Sequence, residues 1–514
     1  MSGFIRGGRE LIEGGVTEET CDVCIVGSGA GGAVTAARLA EAGLDVVVLE
    51  AGGHYTKRDF ELQEASAYPK LYQDGGARAT SDLAISILQG RSVGGSTTVN
   101  WTTCFRTPER VLENWRRRHG VELDAAALAP HFEAVEERLN ISTWDASLAN
   151  ANNRKLLDGA EALGWEASPL RRNVRGCANS GYCSFGCPVD GKQAMHVTYL
   201  PDAVRLGARV YADVRADRIE VKRGRVTAVH ASVLDRATRR PAGPTLTVRP
   251  KVCALAGGAL NSPALLLRSK LDHNKRVGRR TFLHPVVAVI GVFDDPVSGF
   301  YGAPQSVGSH QFIDRGEERV GFFMEAAPVH PMLTAASLPL FGDGLQSMMR
   351  QLDRLGVLLG LSVDGLIEGD EGGTVSLRRD GRLRVDYPIR PELAESFRAS
   401  HEALARIQLA AGAREVLTGH KDPLRIRNER DLRLLDTVEY GAHRHAIFTA
   451  HQMGGCAMGA DPKTSVVGLD HRHRGVDNLF VVDGSVLPTA LGVNPSETIY
   501  GLAHRAATFV GEAV

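Results

Sequence analysis

The chain has 514 residues, 43% hydrophobic and 23% charged, which excludes disorder for its bulk and suggests about three domain-sized units or two large ones. Lysine plus arginine and aspartate plus glutamate each total 60, so the formal net charge is zero and the footprint of a general nucleic-acid binder is missing. No leader peptide and no uncharged apolar run of about 18 residues is read, so no spanning helix is expected and the sequence reads as a soluble cytoplasmic protein.

Glycine is the outlier: 57 residues, gathered in short runs (GSGAGG, GRSVGG, AGGA, MGGCAMG) where a backbone turns tightly or lies against a ligand. In chain order, Asp22 to Val26 predicts a buried parallel strand, Gly27 to Gly32 a glycine turn, AVTAARLAEAG a helix, and DVVVLE a second strand ending at Glu50. That is the βαβ unit that binds dinucleotides. Gly27 makes the turn, Gly29 lets a pyrophosphate approach, and Gly32 lets the helix pack on the strand; Ser28 and Ala30 complete the same turn. The helix N-terminus offers free N–H groups to phosphate. Glu50, followed by Ala51, would accept hydrogen bonds from a ribose and repel a 2′-phosphate, which disfavours NADP.

Residues 54–90 are polar with little periodicity, and GRSVGGSTTVNW at 90–101 is a second glycine run. Residues 109–140 read as helical, 145–200 as irregular with three cysteines, and 209–255 as strands. The middle portion reads as apolar strands (VVAVIGVF), an apolar helix (MMRQLDRLGVLLGLSV) and a hairpin turning at Asp380-Gly381. The end returns to glycine turns, a strand (NLFVVDGS) and a helix (ETIYGLAHRAATFVGEA). The expected fold class is α/β: a Rossmann-like dinucleotide-binding domain with an inserted α+β domain built on an antiparallel sheet. The expected division is 1–144, 201–279 and 446–514 for the dinucleotide-binding parts, 145–200 for a cysteine-containing cap segment, and 280–445 for the inserted substrate domain.

The glycine turn alone does not separate FAD from NAD. A second turn carrying Arg91, Gly95, Ser96 and Asn100, the AGGA run at Ala256, and the strand end at Asp483-Gly484 spread the site from residue 27 to beyond 480. That spread suits an extended, buried cofactor. GSGAGG at 27–32, LEAG at 49–52, GRSVGGSTTVNW at 90–101, and HQMGGCAMG through VVDGSVLPTALGVNPSETIYGLAHRAA occur in the order of a known family. The whole chain resembles the glucose–methanol–choline (GMC) family of FAD oxidoreductases, most closely its long-chain alcohol oxidase and dehydrogenase branch. The resemblance implies that Glu50 binds the adenosine ribose and that Ser96 and Asn100 lie along pyrophosphate and flavin. It places Val214 against the adenine, and Asp483 and Gly484 near the ribityl and phosphate portion. Pro495, Thr498 and their neighbours after Asn494 would run along the isoalloxazine. Arg91, Thr102 and Ala256 complete the expected cofactor set. No histidine stands beside Trp101 and Thr102, so the FAD is expected to be non-covalent.

Oxidising an alcohol requires a base for the hydroxyl proton and an electrophile, flavin N5, for the hydride. His451, in the turn HQMGGCAMG, matches the family's catalytic histidine, and Asn494 in GVNP its partner that orients the hydroxyl. His443 and His445 stand behind them as reserves. Apolar segments at 331–340 and 347–362 suggest a greasy cap over the pocket, which favours an aliphatic, aryl or sterol-like alcohol. Reoxidation would fall to oxygen or to another electron acceptor. Two rivals remain: a sugar or polyol dehydrogenase working with an electron-transfer partner, and a flavin-containing lyase.

Cys177, Cys183 and Cys187 follow the spacing C-x5-C-x3-C-P, which resembles the segment that carries an iron–sulfur cluster in some family members. The reading favours packed thiols over a cluster, and no metal site is assigned. Cys21 and Cys24 are expected on opposite faces of the first strand. Cys253 reads as core, and Cys104 and Cys456 as lining near the active site.

Overall fold

The computed structural model describes residues 3–514. Glu18–Val26 and Val46–Leu49 form parallel neighbours, joined by the helix Ala30–Glu41 as the apolar runs require. Their sheet has eight strands. Arg209–Tyr211 and Phe4–Arg6 extend it in parallel on one side. On the other side Pro241–Leu255 pairs in parallel with Glu18–Val26, and Leu479–Val481, near the C-terminus, pairs in parallel with Pro241–Leu255. Arg225–Leu234 and Val214–Lys222 add an antiparallel edge. Val23, Ile25, Val46 and Val48 face the helices Ala30–Glu41 and Ser496–Glu512, while Cys24, Val47 and Leu49 face a second apolar cluster. Both faces of the sheet are therefore buried, as a parallel sheet demands.

A nine-stranded sheet forms the second layer. Its central order runs Glu415–Thr418, Val286–Val292, Leu355–Ser362, Phe322–Ala326, Val307–Ser309, all antiparallel. The helix Pro391–Ala410 packs across it through Phe397, Leu404 and Ile407. The segment Leu355–Ser362 is a central strand and not the expected apolar helix. Both of its edges are paired and nearly all of it is buried, so an unbroken apolar run, with Gly356 and Gly360 where neighbouring side chains crowd in, suits it as well as a helix would. The expected hairpin forms between Gly373–Leu377 and Leu383–Asp386, with Gly381 at φ 78°.

Two local expectations change. The stretch 145–200 is not simply irregular: it contributes the helix Ala151–Ala162, packed against Pro391–Ala410, and Ser168–Pro169 at the edge of the nine-stranded sheet. Cys21 and Cys24 face the same apolar cluster rather than opposite sides. The N–H groups of both Asp22 and Val23 donate to Asp45 O, a bulge-like doubling that resets the alternation between the two cysteines.

Candidate active site

The two glycine turns meet backbone to backbone. Gly27 has φ 106°, and a Cβ there would fall 2.3 Å from Ala256 O. A Cβ on Gly32 would lie 2.0 Å from Gly27 O, and one on Gly95 2.7 Å from Gly29 Cα. Only glycine permits this approach, and it leaves the N-terminus of the helix Ala30–Glu41 open to a cavity of about 1020 Å³. That volume lies at the upper end of ligand pockets, roughly 300–1,000 Å³.

Most of the expected cofactor residues line this one cavity. Gly27, Gly29, Ala30, Glu50, Ala51, Arg91 and Val214 form one end; Gly95, Ser96, Ala256, Asp483 and Gly484 the middle; Asn100, Thr102, Pro495, Asn494 and His451 the other end. Ser28, Gly32 and Thr498 stand behind the wall. Ser28 donates its N–H and its hydroxyl to Glu50 Oε2 at 3.0 and 2.7 Å, and its hydroxyl receives Gly94 N–H. Thr498 Oγ1 faces Thr107 Oγ1 at 2.9 Å. Gly52 N–H occupies Glu50 Oε1, so the acid is held rigid by three donors, while burial raises its pKa. Asp483 is held in the same way by Gly258 N–H, Ser262 Oγ and Ser485 N–H.

At the far end, His451 Nε2 lies 3.4 Å from Asn494 Nδ2. Its other nitrogen, Nδ1, lies 3.2 Å from Nδ1 of the buried His284, and one proton at most can occupy that line. Burial pushes His451 down to about 4, so the ring is neutral near pH 7. Asn494 Nδ2 is also 3.5 Å from Glu325 Oε2, which accepts from Gln305 Nε2 at 2.5 Å. Glu325 is fully buried and pushed up to about 8 by desolvation, so it holds its proton at neutral pH. His284, Gln305 and Thr102 all carry positive φ (43°, 45° and 70°), a backbone strain that gathers around this end of the cavity. The surrounding wall is apolar: Val286, Leu359, Leu361, Phe448 and Trp101.

Sequence reading alone does not reveal His284, Gln305, Glu325 or Lys192. Lys192 is buried, and its Nζ donates to Thr98 O, Asn100 O and Cys183 O, tying the cysteine-rich segment to the second glycine run. A lysine after Asp190-Gly191 gives no signal of this in the sequence. Among the described residues, Cys177, Cys183 and Cys187 carry no disulfide, and no group of three ligating side chains is arranged to hold a metal ion. They border a small void beside Lys192. Cys104 and Cys456 are buried outside the cavity wall, and His445 lies in a separate buried cluster with His401, His420 and Tyr440. Of the two expected cap segments, 347–362 supplies Leu359 and Leu361 to the wall, whereas 331–340 supplies none.

The arrangement fits FAD. A helix N-terminus, a carboxylate suited to a ribose and an imidazole–amide pair open onto one continuous space. Asn100 Oδ1 and Asn494 Oδ1 are buried without a partner among the described residues, and both residues line that space.

Two family models described as GMC oxidoreductase match residues 68–286 and 370–503, and one described as an NAD(P)-binding Rossmann-like domain matches 25–59. A GMC-type oxidoreductase of Mycobacterium tuberculosis, itself uncharacterised, is 37% identical over 94% of this chain and 74% of its own. A long-chain-alcohol oxidase of Arabidopsis thaliana is 30% identical over 96% of this chain and 68% of its own. Among solved structures, pyridoxine 4-oxidase from Mesorbium loti superposes with a TM-score of 0.69 at 20% identity, covering 95% of this chain and 98% of that one.

Proposed function

This chain belongs to the GMC oxidoreductases, FAD-dependent enzymes, and from that premise we propose that it oxidises a hydrophobic alcohol to a carbonyl. The observation that carries the reading is the His451–Asn494 pair, set 3.4 Å apart at the apolar end of the cavity that begins at the dinucleotide turn.

Gly27 to Gly31 and the N-terminus of Ala30–Glu41 would hold the pyrophosphate, Glu50 the ribose, and Asn100, Asp483 and Pro495 the remainder. FAD, when bound, supplies the acceptor for a hydride from the substrate carbon. The hydroxyl proton is left to the protein. His451, kept neutral by burial, takes it at Nε2; this needs the single proton of the Nδ1–Nδ1 contact on His451, and therefore the His284 tautomer protonated at Nε2, which gives up the bond it accepts there from Gly492 N–H at 3.1 Å. Asn494 fixes the hydroxyl oxygen, and the neutral Glu325 beside it adds no charge to repel a developing alkoxide. Val286, Leu359, Leu361 and Phe448 exclude water and favour an aliphatic or aryl chain over a polyol. Similarity to long-chain-alcohol oxidases supports the same direction.

The test is anaerobic mixing of the yellow holoenzyme with primary alcohols of increasing length, an aryl alcohol, a sterol, glucose and sorbitol. Bleaching of the flavin that quickens with chain length is expected. Faster bleaching by the sugars would transfer the reading to a polyol dehydrogenase. Cleavage of a cyanohydrin with no bleaching by any alcohol would make the protein a lyase. Repeating the winning substrate in air with peroxide detection separates oxygen from another acceptor.

A further inference from the structure

At the Glu50 end of the cavity two guanidinium groups share one wall, Arg91 and Arg239. Arg91 belongs to the second glycine run, and its Nη2 donates to Ala51 O at 2.8 Å. Arg239 sits 148 positions later in the chain, at the turn between Arg225–Leu234 and Pro241–Leu255, with φ 59°. Its Nη1 donates to Tyr72 O at 3.3 Å.

Among the described residues neither arginine makes an ion pair, although their neighbour Arg236 pairs with Asp213 at 2.7 Å. The nearby acids are already engaged: Glu50 accepts from Ser28 and Gly52, Asp213 pairs with Arg236, and Asp74 pairs with Arg78. Each guanidinium thus spends one donor on a carbonyl and keeps the rest. Burial and the charge of Arg239 both work against Arg91. Two like charges on one wall, with no ion-pair partner of their own and only the more distant pull of Glu50 and Asp213 on Arg91, are a cost that a bound anion removes, and planar forks suit phosphate oxygens. The N-terminus of Ala30–Glu41, which also selects an anion, lines the same space.

We propose that Arg239 is a cofactor-binding residue that acts with Arg91 on the adenosine diphosphate half of FAD. This rests on the reading of the cavity as the FAD site. Through Tyr72 O, Arg239 would also hold the segment Gln73–Gly76 against the same half of the cofactor.

The experiment strips FAD from the full-length protein and titrates it back, following quenching of FAD fluorescence, with ADP as competitor because it carries the phosphates without the flavin ring. Compared are wild type, Arg239→Gln, Arg239→Lys and, as a control on the same turn, Arg240→Gln. We expect Arg239→Gln to weaken both FAD and ADP about tenfold, the loss of a charge-assisted phosphate contact. Arg239→Lys should recover part of it, the effect should shrink as salt rises, and Arg240→Gln should match wild type. Unchanged ADP affinity in Arg239→Gln overturns the proposal, whether FAD affinity is kept or falls, because the phosphate contact is then absent. If the wild-type apoprotein takes up no FAD at all, it is the cofactor reading that fails, a different outcome from either.

Discussion

His451 is enclosed on both nitrogens, by His284 at Nδ1 and by Asn494 at Nε2, and burial holds it neutral at pH 7. Replacing it with alanine should lower kcat/KM with the best alcohol by about 10²–10⁴, the usual share of a general base, while the visible flavin spectrum of the holoenzyme persists. Turnover that survives the change would remove His451 from the mechanism and leave the cofactor site untouched. Glu325 gives a prediction of opposite character. Its folded pKa, about 8, lies above the unfolded carboxylate value, so its contribution to stability is present below about 4.5 and lost as pH rises through 8. Glu325→Gln removes that titration and keeps the amide-sized shape beside Asn494. The stabilities of the variant and wild type should therefore agree below about pH 4.5 and separate between pH 4.5 and 8, the variant gaining about 1.4 kcal/mol for each unit of pH in that window and no more above it. Equal pH profiles would show that Glu325 is ionised in the native protein. Of these residues the sequence pointed to His451 and Asn494, because each stands in a glycine- or proline-marked turn that the family resemblance identifies. Glu325 lies inside FFMEA, an ordinary strand, and His284 inside LHPVV, and only tertiary pairing brings them to the pair.

At the scale of elements, the legible parts were those where the backbone itself demands a residue. Gly27, Gly31 and Gly32 of the first glycine turn leave no room for a Cβ, and the Asp380-Gly381 hairpin needs a positive φ, so both were read correctly. The strand Leu355–Ser362 was misread because a strand paired on both edges and buried on both faces shows no alternation, and an unbroken apolar run does not distinguish it from a buried helix. The segment 145–200 lacked periodicity because part of its order comes from one remote bond donor. Lys192 Nζ ties Thr98 O and Asn100 O to Cys183 O, so the cysteine-rich segment and the second glycine run are a single unit. Lys192→Met keeps most of the volume and removes all three donors. Each abandoned carbonyl costs about 1–3 kcal/mol where water cannot reach it. The expected result is a lower melting temperature together with weaker FAD retention on dialysis, since Asn100 borders the cavity. A melting point that falls with FAD affinity unchanged would mean that the segment supports the fold without shaping the cofactor site.

Across the whole molecule, the sheet that carries the dinucleotide turn draws strands from Phe4–Arg6 to Leu479–Val481, and His451 stands between the short strands Phe448–Thr449 and Met453–Gly454, which belong to two other sheets. Such an assembly buries ionisable groups wherever distant segments converge. His284, His401, His445, His451, His471 and His473 all have pKa values lowered first by burial. A histidine with a depressed folded pKa stabilises above its unfolded value, near 6.5, and that contribution is lost as pH falls toward the folded value. Below 6.5 the unfolded chain therefore binds more protons than the native one at each such site. Glu325, Asp364 and Glu497, raised by burial, act with the opposite sign over the same range, one proton each. Eight further histidines are lowered by burial and two further carboxyls, Glu50 and Asp483, are raised by it, so fourteen histidines against five carboxyls leave a net uptake of protons on unfolding between pH 6.5 and 5, above the range where ordinary surface carboxylates titrate. The urea midpoint should fall over that window at roughly 1.4 kcal/mol per pH unit for each net proton taken up. The measurement is best made on the apoprotein and repeated with saturating FAD, whose binding adds stability by mass action in proportion to its occupancy. A midpoint that stays level from pH 7 to 5 would show that the native chain already binds as many protons as the unfolded one over that window, so that its buried imidazoles do not outweigh its raised carboxyls.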